Sequence, residues 1–326
     1  MELKKLAFMD MNPHSSISEE NKKILEEAAP GAEFHYFGSF DELYERLPDA
    51  DAVFFWPHNM PQDFIEYCRS NARLKWLQPY ISGVDAIMDT DLWSMKHIRI
   101  SSTRGIHGPP MADHLVAMIF YFLRRFDIAV RGQAERRWVG RKLAAAANES
   151  AGKTVGFVGL GNIGLVMAEK CHKLGMRVLA AKRNPVEEEF VEKCYRITEL
   201  HEMLGQCDFV VTILPLTDET RHIIGKAEFK AMKNTAVYLN LARGGVVDEA
   251  ALIEALQSGE IAGAGLDVTT PEPLDKQSPL WDMPNVLITF HTAAQSPFYM
   301  DRACKVIAEN IRRFIAGEPL LYESKR

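Results

Sequence analysis

The 326 residues hold only five cysteines, no sustained run of lysine and arginine, and no apolar stretch long enough to cross a bilayer. Each shortage removes a class of function. Cys68, Cys171, Cys194, Cys207 and Cys304 are odd in number and scattered, with neither paired metal-ligand spacing nor a disulfide framework, so no metal is expected and a reducing cytoplasm is the expected home. A formal net charge of -6 without a basic cluster leaves no electrostatic footprint for nucleic acid or an anionic membrane, and a small-molecule ligand is expected instead. The longest apolar run, 115–123, is about half a membrane span and reads as a buried helix or a subunit contact. The opening MELKKLAFMD is too poor in apolar residues for a signal peptide and reads as a first strand.

The length exceeds what one hydrophobic core usually serves, which predicts two domains. The chain is organised around KTVGFVGLGNIG at 153–164, where a short β-branched strand runs through Gly159, Gly161 and Gly164 into a helical pattern. Gly159 suits a tight turn, Gly161 a close approach of backbone to a pyrophosphate, and Gly164 close packing of helix on strand. Asn162 and Ile163 open that helix, whose free N–H groups favour a phosphate. Strands are expected over 3–9, 33–37, 52–56, 74–79 and 98–102, then over 154–158, 177–182, 209–214, 236–241, 263–268 and 286–290, with helical segments between most of them. The fold class expected is therefore α/β, with two doubly wound parallel-sheet domains and a crevice between them. A Rossmann-type cofactor domain would span 104–291, and a flavodoxin-like substrate domain would be discontinuous, 1–103 with 292–326. A single long helix is expected over 109–137, opened by Pro109 and Pro110 and suited to bridging domains or pairing with a second copy.

Three polar residues follow strands on the carboxyl side of the second sheet, where open α/β folds bind their ligands. Arg243 ends AVYLNLA and precedes two glycines, so its planar fork can grip a carboxylate. Glu272 sits in the proline-rich DVTTPEPL, and His291 closes VLITF before the small residues Thr292, Ala293 and Ala294. A histidine beside a carboxylate can deliver a proton near neutral pH, which carbonyl reduction needs. The other nine histidines, His114 among them, default to surface or satisfied-core roles.

The runs VGFVGLGNIG, VYLNLARGGVVDEAAL, AGAGLDVTTPEPL and PNVLITFHTAA resemble, in order and spacing, the signatures of the D-isomer-specific 2-hydroxyacid dehydrogenases, and the resemblance spans essentially the whole chain. It implies a substrate-binding arginine, a glutamate and a proton-exchanging histidine at Arg243, Glu272 and His291. It also implies that Ser82 and Gly83 in QPYISGVDAI hold the substrate carboxylate and that Asp267 contacts the nicotinamide carboxamide. Leu214, Pro215 and Ala242, at the exits of two strands, complete the cofactor contacts expected. Members of the family usually dimerise through the helix corresponding to 109–137, and Trp138 matches an aromatic that some of them offer to the neighbouring active site. Two positions depart from the pattern: Phe290 replaces the usual proline before the histidine, and Lys182 stands where NAD-preferring members carry an acid. Lys182, Arg183 and Asn184 can donate to a 2′-phosphate, so NADP is the expected cofactor, with NAD the alternative.

The function expected is reduction of a small 2-oxo acid to the D-2-hydroxy acid. The rival is a dinucleotide-sensing protein of the same fold, like the family's corepressors. Glu272 disfavours formate dehydrogenase, and phosphoglycerate dehydrogenase with a regulatory tail is not expected of a chain ending at Arg326.

Overall fold

Parallel strands covered by helices on both faces bury both sets of side chains, which is why these strands read as continuous apolar runs rather than alternating ones. The computed structural model of the chain describes residues 2–11, 16–82 and 85–324. They form two compact units, Met1–His107 with Ser296–Arg326, and Gly108–Gln295.

The first unit is built on β1 (Lys5–Met9), β2 (Glu33–Phe37), β3 (Ala52–Phe55), β4 (Trp76–Pro79) and β5 (Arg99–Ile100), in the order β2-β1-β3-β4-β5 and all parallel. That is the flavodoxin-like order. Alternation of side chains sorts β1 into two cores: Leu6 and Phe8 lie in one, Ala7 and Met9 in the other. Phe8 stacks on Phe54 with ring centroids 4.4 Å apart. The amphipathic helix Tyr299–Ala316 covers the Leu6 and Phe8 side with Met300, Ala303, Ile307, Ile311 and Phe314. Opposite the carboxyl ends of the strands, the buried Asp51 ties the sheet together. Its Oδ2 accepts from the backbone of Lys4 and Lys5 at 2.8 and 3.0 Å, and its Oδ1 accepts from Lys75 at 2.9 Å.

The second unit carries β6 (Thr154–Val158), β7 (Arg177–Lys182), β8 (Lys193–Arg196), β9 (Phe209–Thr212), β10 (Val237–Asn240), β11 (Gly263–Leu266) and β12 (Val286–Ile288). The order is β12-β11-β10-β9-β6-β7-β8, again all parallel. It is the Rossmann order with one further strand, and the direction of winding reverses between β6 and β9. Helix Gly108–Leu123 covers one face, packing Leu115, Met118 and Ile119 into the core that holds Val155, Phe157 and Val211.

The single helix expected over 109–137 is corrected. It is two helices, Gly108–Leu123 and Phe126–Ala134, broken where Arg125 turns left-handed at φ 54. Asp127 accepts both Arg125 Nε and Nη2, at 2.9 and 2.7 Å, which holds the break in place without a glycine. Two further elements, β8 and the helix Gly140–Ala146, were not expected from the sequence. No helix among the described residues is long and apolar enough to cross a membrane.

Candidate active site

The polar residues singled out in the second unit sit just beyond the carboxyl ends of its strands. β6 exits into Gly159 at φ 91, where a side chain would meet Ile213 O at 2.8 Å and Leu214 Cβ at 2.8 Å, so only glycine makes this turn. Gly161 differs: no heavy atom lies within 4 Å of the point a Cβ would occupy, which leaves room for a ligand to meet bare backbone. The helix Asn162–Lys173 begins there and directs its unpaired N–H groups at that space. Behind it the packing is close: a Cβ at Gly164 would stand 3.3 Å from Ile213 Cγ2 and 3.4 Å from Leu160 Cδ1. A turn too tight for side chains, open space at the second glycine and a helix N-terminus together fit a pyrophosphate. Among the described residues no cluster of His, Cys, Asp and Glu could hold a metal.

β10 positions Arg243. Asn240, buried in an otherwise apolar strand, accepts Ala242 N at 3.1 Å and donates to Arg243 O at 3.1 Å, while Thr212 donates to its Oδ1 at 3.0 Å. Ala242 is buried, and the exposed Arg243 guanidinium reaches its own neighbour's carbonyl at 2.7 Å. Gly244 follows because its backbone lies against Thr269 and Thr270; a Cβ would fall 2.3 Å from Thr270 Oγ1. The loop carrying Arg243 therefore rests on the loop carrying Glu272. That second loop is itself fastened: Glu272 Oε1 accepts Thr269 N at 3.1 Å and Glu249 Oε2 accepts Thr270 N at 3.1 Å. Burial pushes the Glu249 carboxyl above its ordinary value, against the bond from Thr270.

Glu272 Oε2 and His291 Nδ1 are 2.7 Å apart, across 19 residues of sequence. His291 is half exposed. Both Phe290 and His291 have φ 56, the left-handed region that non-glycine residues rarely enter. Such strain, about 1–3 kcal/mol per residue, persists only where the surroundings over-determine it. Here His291 N donates to Asp267 O at 2.6 Å, and the Asp267 carboxylate gathers the rest of the loop. Its Oδ1 accepts from Thr289 Oγ1 at 2.7 Å, Thr292 N at 2.9 Å and Ala293 N at 3.2 Å. The departure from proline at 290 has its reason here: a proline ring fixes φ near about -65° and cannot take this conformation.

Thr289 also meets His114 of the covering helix, Oγ1 to Nε2 2.9 Å. Burial pushes the His114 imidazole below its ordinary value, with the Asp267 charge opposing. Asn240, Thr289 and His114 were not picked out from the sequence. The first two carried a usable signal, a polar residue inside or at the end of an apolar strand; the third, a lone histidine on a helix, did not.

Lys182 ends β7 half-buried, and Arg183 and Asn184 beyond it are exposed. Arg183 is ion-paired with the exposed Glu219. Leu214 is half-buried beside Gly159, and Pro215 is exposed. In the first unit, Ser82 is hydrogen-bonded to His107 Nδ1, whose Nε2 lies 3.2 Å from the Tyr299 hydroxyl. Gly83 lies outside the described residues. Trp138 is fully exposed.

The family model for the D-isomer specific 2-hydroxyacid dehydrogenase NAD binding domain matches residues 116–293. A glyoxylate/hydroxypyruvate reductase B from Cronobacter sakazakii is 40% identical over 239 residues, 71% of this chain and 72% of that protein. A glyoxylate reductase from Korarchaeum cryptofilum is 33% identical over 283 residues, 85% of this chain and 83% of that one. Among solved structures, a D-isomer specific 2-hydroxyacid dehydrogenase from Xanthobacter autotrophicus Py2 in complex with NADPH and MES superposes with a TM-score of 0.81 at 31% identity, covering 99% of this chain and 98% of that chain. An NADPH-dependent glyoxylate/hydroxypyruvate reductase from Sinorhizobium meliloti in complex with NADP and sulfate gives 0.78 at 27% identity, over 99% of this chain and 98% of that one.

Proposed function

Since the chain belongs to the D-isomer-specific 2-hydroxyacid dehydrogenase family, an NAD(P)-dependent enzyme that reduces 2-oxo acids, we propose that its substrates are small ones of the glyoxylate and hydroxypyruvate kind and that NADPH is its preferred reductant. The observation that carries the chemistry is the 2.7 Å contact between Glu272 and a half-exposed His291. Glu272 accepts from Nδ1 and fixes the ring, so Nε2 is the atom that hands a proton to the alkoxide forming on the substrate, a transfer typically worth about 10²- to 10⁴-fold. Arg243 forks onto the substrate carboxylate and polarises the adjacent carbonyl. Gly159, Gly161, Asn162, Ile163 and Gly164 hold the pyrophosphate, Leu214, Pro215 and Ala242 line the cofactor's path, and Asp267 accepts from the carboxamide. When bound, the nicotinamide supplies the hydride.

For NADPH the support is the triplet Lys182, Arg183 and Asn184, together with solved relatives holding NADPH or NADP. Arg183 must leave or share its partner Glu219, but an exposed pair is worth only about 0–1 kcal/mol, and a charge-assisted bond to a 2′-phosphate about 1.5–3 kcal/mol. The phosphate wins. Self-association is proposed through the segment 126–138, where Phe126 and Val130, one helical turn apart, and Trp138 expose apolar surface to a second copy. The reduced cytoplasm remains the proposed compartment, with all five thiols free.

Initial rates with glyoxylate, hydroxypyruvate, pyruvate, and branched and aromatic 2-oxo acids, each with NADPH and NADH, test the reading. Glyoxylate and hydroxypyruvate with NADPH should show the highest kcat/KM. Preference for the bulky acids would overturn the substrate class, and equal or better efficiency with NADH would overturn the cofactor. Light scattering that finds a monomer at micromolar concentration would remove the dimer.

A further inference from the structure

His114 lies on the helix Gly108–Leu123, whose other inward residues, Met111, Ala112, Leu115, Met118 and Ile119, are apolar. Its Nε2 stands 2.9 Å from Thr289 Oγ1 and 3.8 Å from Asp267 Oδ1. The direction of this chain of hydrogen bonds follows from valence. An ionised Asp267 can only accept, so the one hydroxyl proton of Thr289 goes to Oδ1, at 2.7 Å. Thr289 can then only accept from His114, which places a proton on Nε2. The relay ends on an oxygen already filled by two backbone N–H groups, those of Thr292 and Ala293. Oδ2, by contrast, receives among the described residues only the shared Ala293 N–H at 3.2 Å and keeps capacity for another donor.

We propose that His114 and Thr289 are positioning residues for hydride transfer, which act through Asp267 by holding its Oδ1 against the His291 loop and so presenting Oδ2 to the amide of the nicotinamide. This rests on the reading of Asp267 as the carboxamide contact. Two parts of the reaction depend on the same carboxylate: the acceptor that orients the nicotinamide ring, and the loop Thr289–Ala293 that keeps His291 in its left-handed conformation. Loss of the hydroxyl lets the carboxylate turn, so the ring and the proton donor lose register together, while the pyrophosphate cradle at Gly159–Gly164, built on other strands, is untouched.

The test compares Thr289→Val, His114→Leu and His114→Gln with the parent enzyme, by steady-state kinetics and by equilibrium binding of the whole reduced cofactor and of the matching ADP-ribose fragment that lacks nicotinamide. Thermal unfolding checks that each variant is folded. Thr289→Val and His114→Leu should each lower kcat about tenfold or more and weaken the whole cofactor several-fold, while the fragment binds within about twofold of the parent. His114→Gln, whose amide N–H can serve Thr289, should recover most of the loss. Unchanged kcat in both Thr289→Val and His114→Leu, or equal weakening of cofactor and fragment, would overturn the proposal. The parent's own turnover of 2-oxo acids reports separately on the proposed function, so failure of one is not mistaken for failure of the other.

Discussion

Asp51 in the first unit and Asp267 in the second are both buried carboxylates that collect backbone N–H groups at the ends of parallel strands. They differ in what else they hold. Asp51 sits before β3, on the amino side of its sheet, and two cations close its remaining lone pairs, Lys75 at 2.9 Å and Arg73 at 3.2 Å. Asp267 follows β11, on the carboxyl side, has no lysine or arginine paired to it among the described residues, and leaves Oδ2 with one long bond. A saturated carboxylate is a clamp; an unsaturated one in the same kind of setting is a socket. The lesson extends to the sheets, because the same physics of buried parallel strands builds both, while the chemistry depends on which groups at a strand end are left with capacity.

If that division holds, substitutions on the two sides should separate turnover from stability. The largest effect is expected at His291: His291→Ala should lower kcat by at least about two orders of magnitude with cofactor affinity nearly unchanged, since only the proton transfer is lost. Near-parental turnover would break the comparison outright. Next, Asp51→Ala should cost about 2–3 kcal/mol in urea unfolding, because it strands two backbone donors and two half-exposed cations, while kcat per folded molecule stays within about twofold. A fall in kcat at full stability would show that the clamp is no mere clamp.

The Asp51 effect carries a pH signature. Burial pushes its carboxyl up, but the bond from Lys75 and those from Lys4 and Lys5 outweigh it and hold the group below its ordinary 3.8. A depressed folded value means a contribution fully present above 3.8 and lost as pH falls through the lower folded value. The stability gap between parent and Asp51→Asn, followed by urea titration at stepped pH, should therefore narrow only below that point. The smallest effect is expected at the cofactor's far end. Glu219→Gln should raise the NADPH-to-NADH ratio of kcat/KM by about two- to fivefold by freeing Arg183, and a ratio that falls would show Glu219 assisting rather than competing.

Much of this was legible in the sequence where the signal is local. The β6 turn announces itself because three glycines have three separate steric duties within six residues. Glu272 and His291, flagged by their positions after strands and expected to work as a pair, lie 2.7 Å apart in the structure. What the sequence hid is nonlocal or conformational. Arg125 breaks a helix in a left-handed turn with no glycine or asparagine to signal it. β8 is a four-residue edge strand, KCYR, half charged and paired on one side only. His114 looked ordinary because its partner lies 175 residues away and comes to it only through the winding of β12 beside β11.

The left-handed pair Phe290–His291 also bears on how relatives of this chain are found. Asparagine, aspartate, histidine and glycine enter that region most easily and β-branched residues least, so position 290 should drift among the former across close homologues and should not revert to proline without rebuilding the loop. A search pattern that demands proline before the histidine would pass over such a lineage while its arginine, glutamate and histidine are all present.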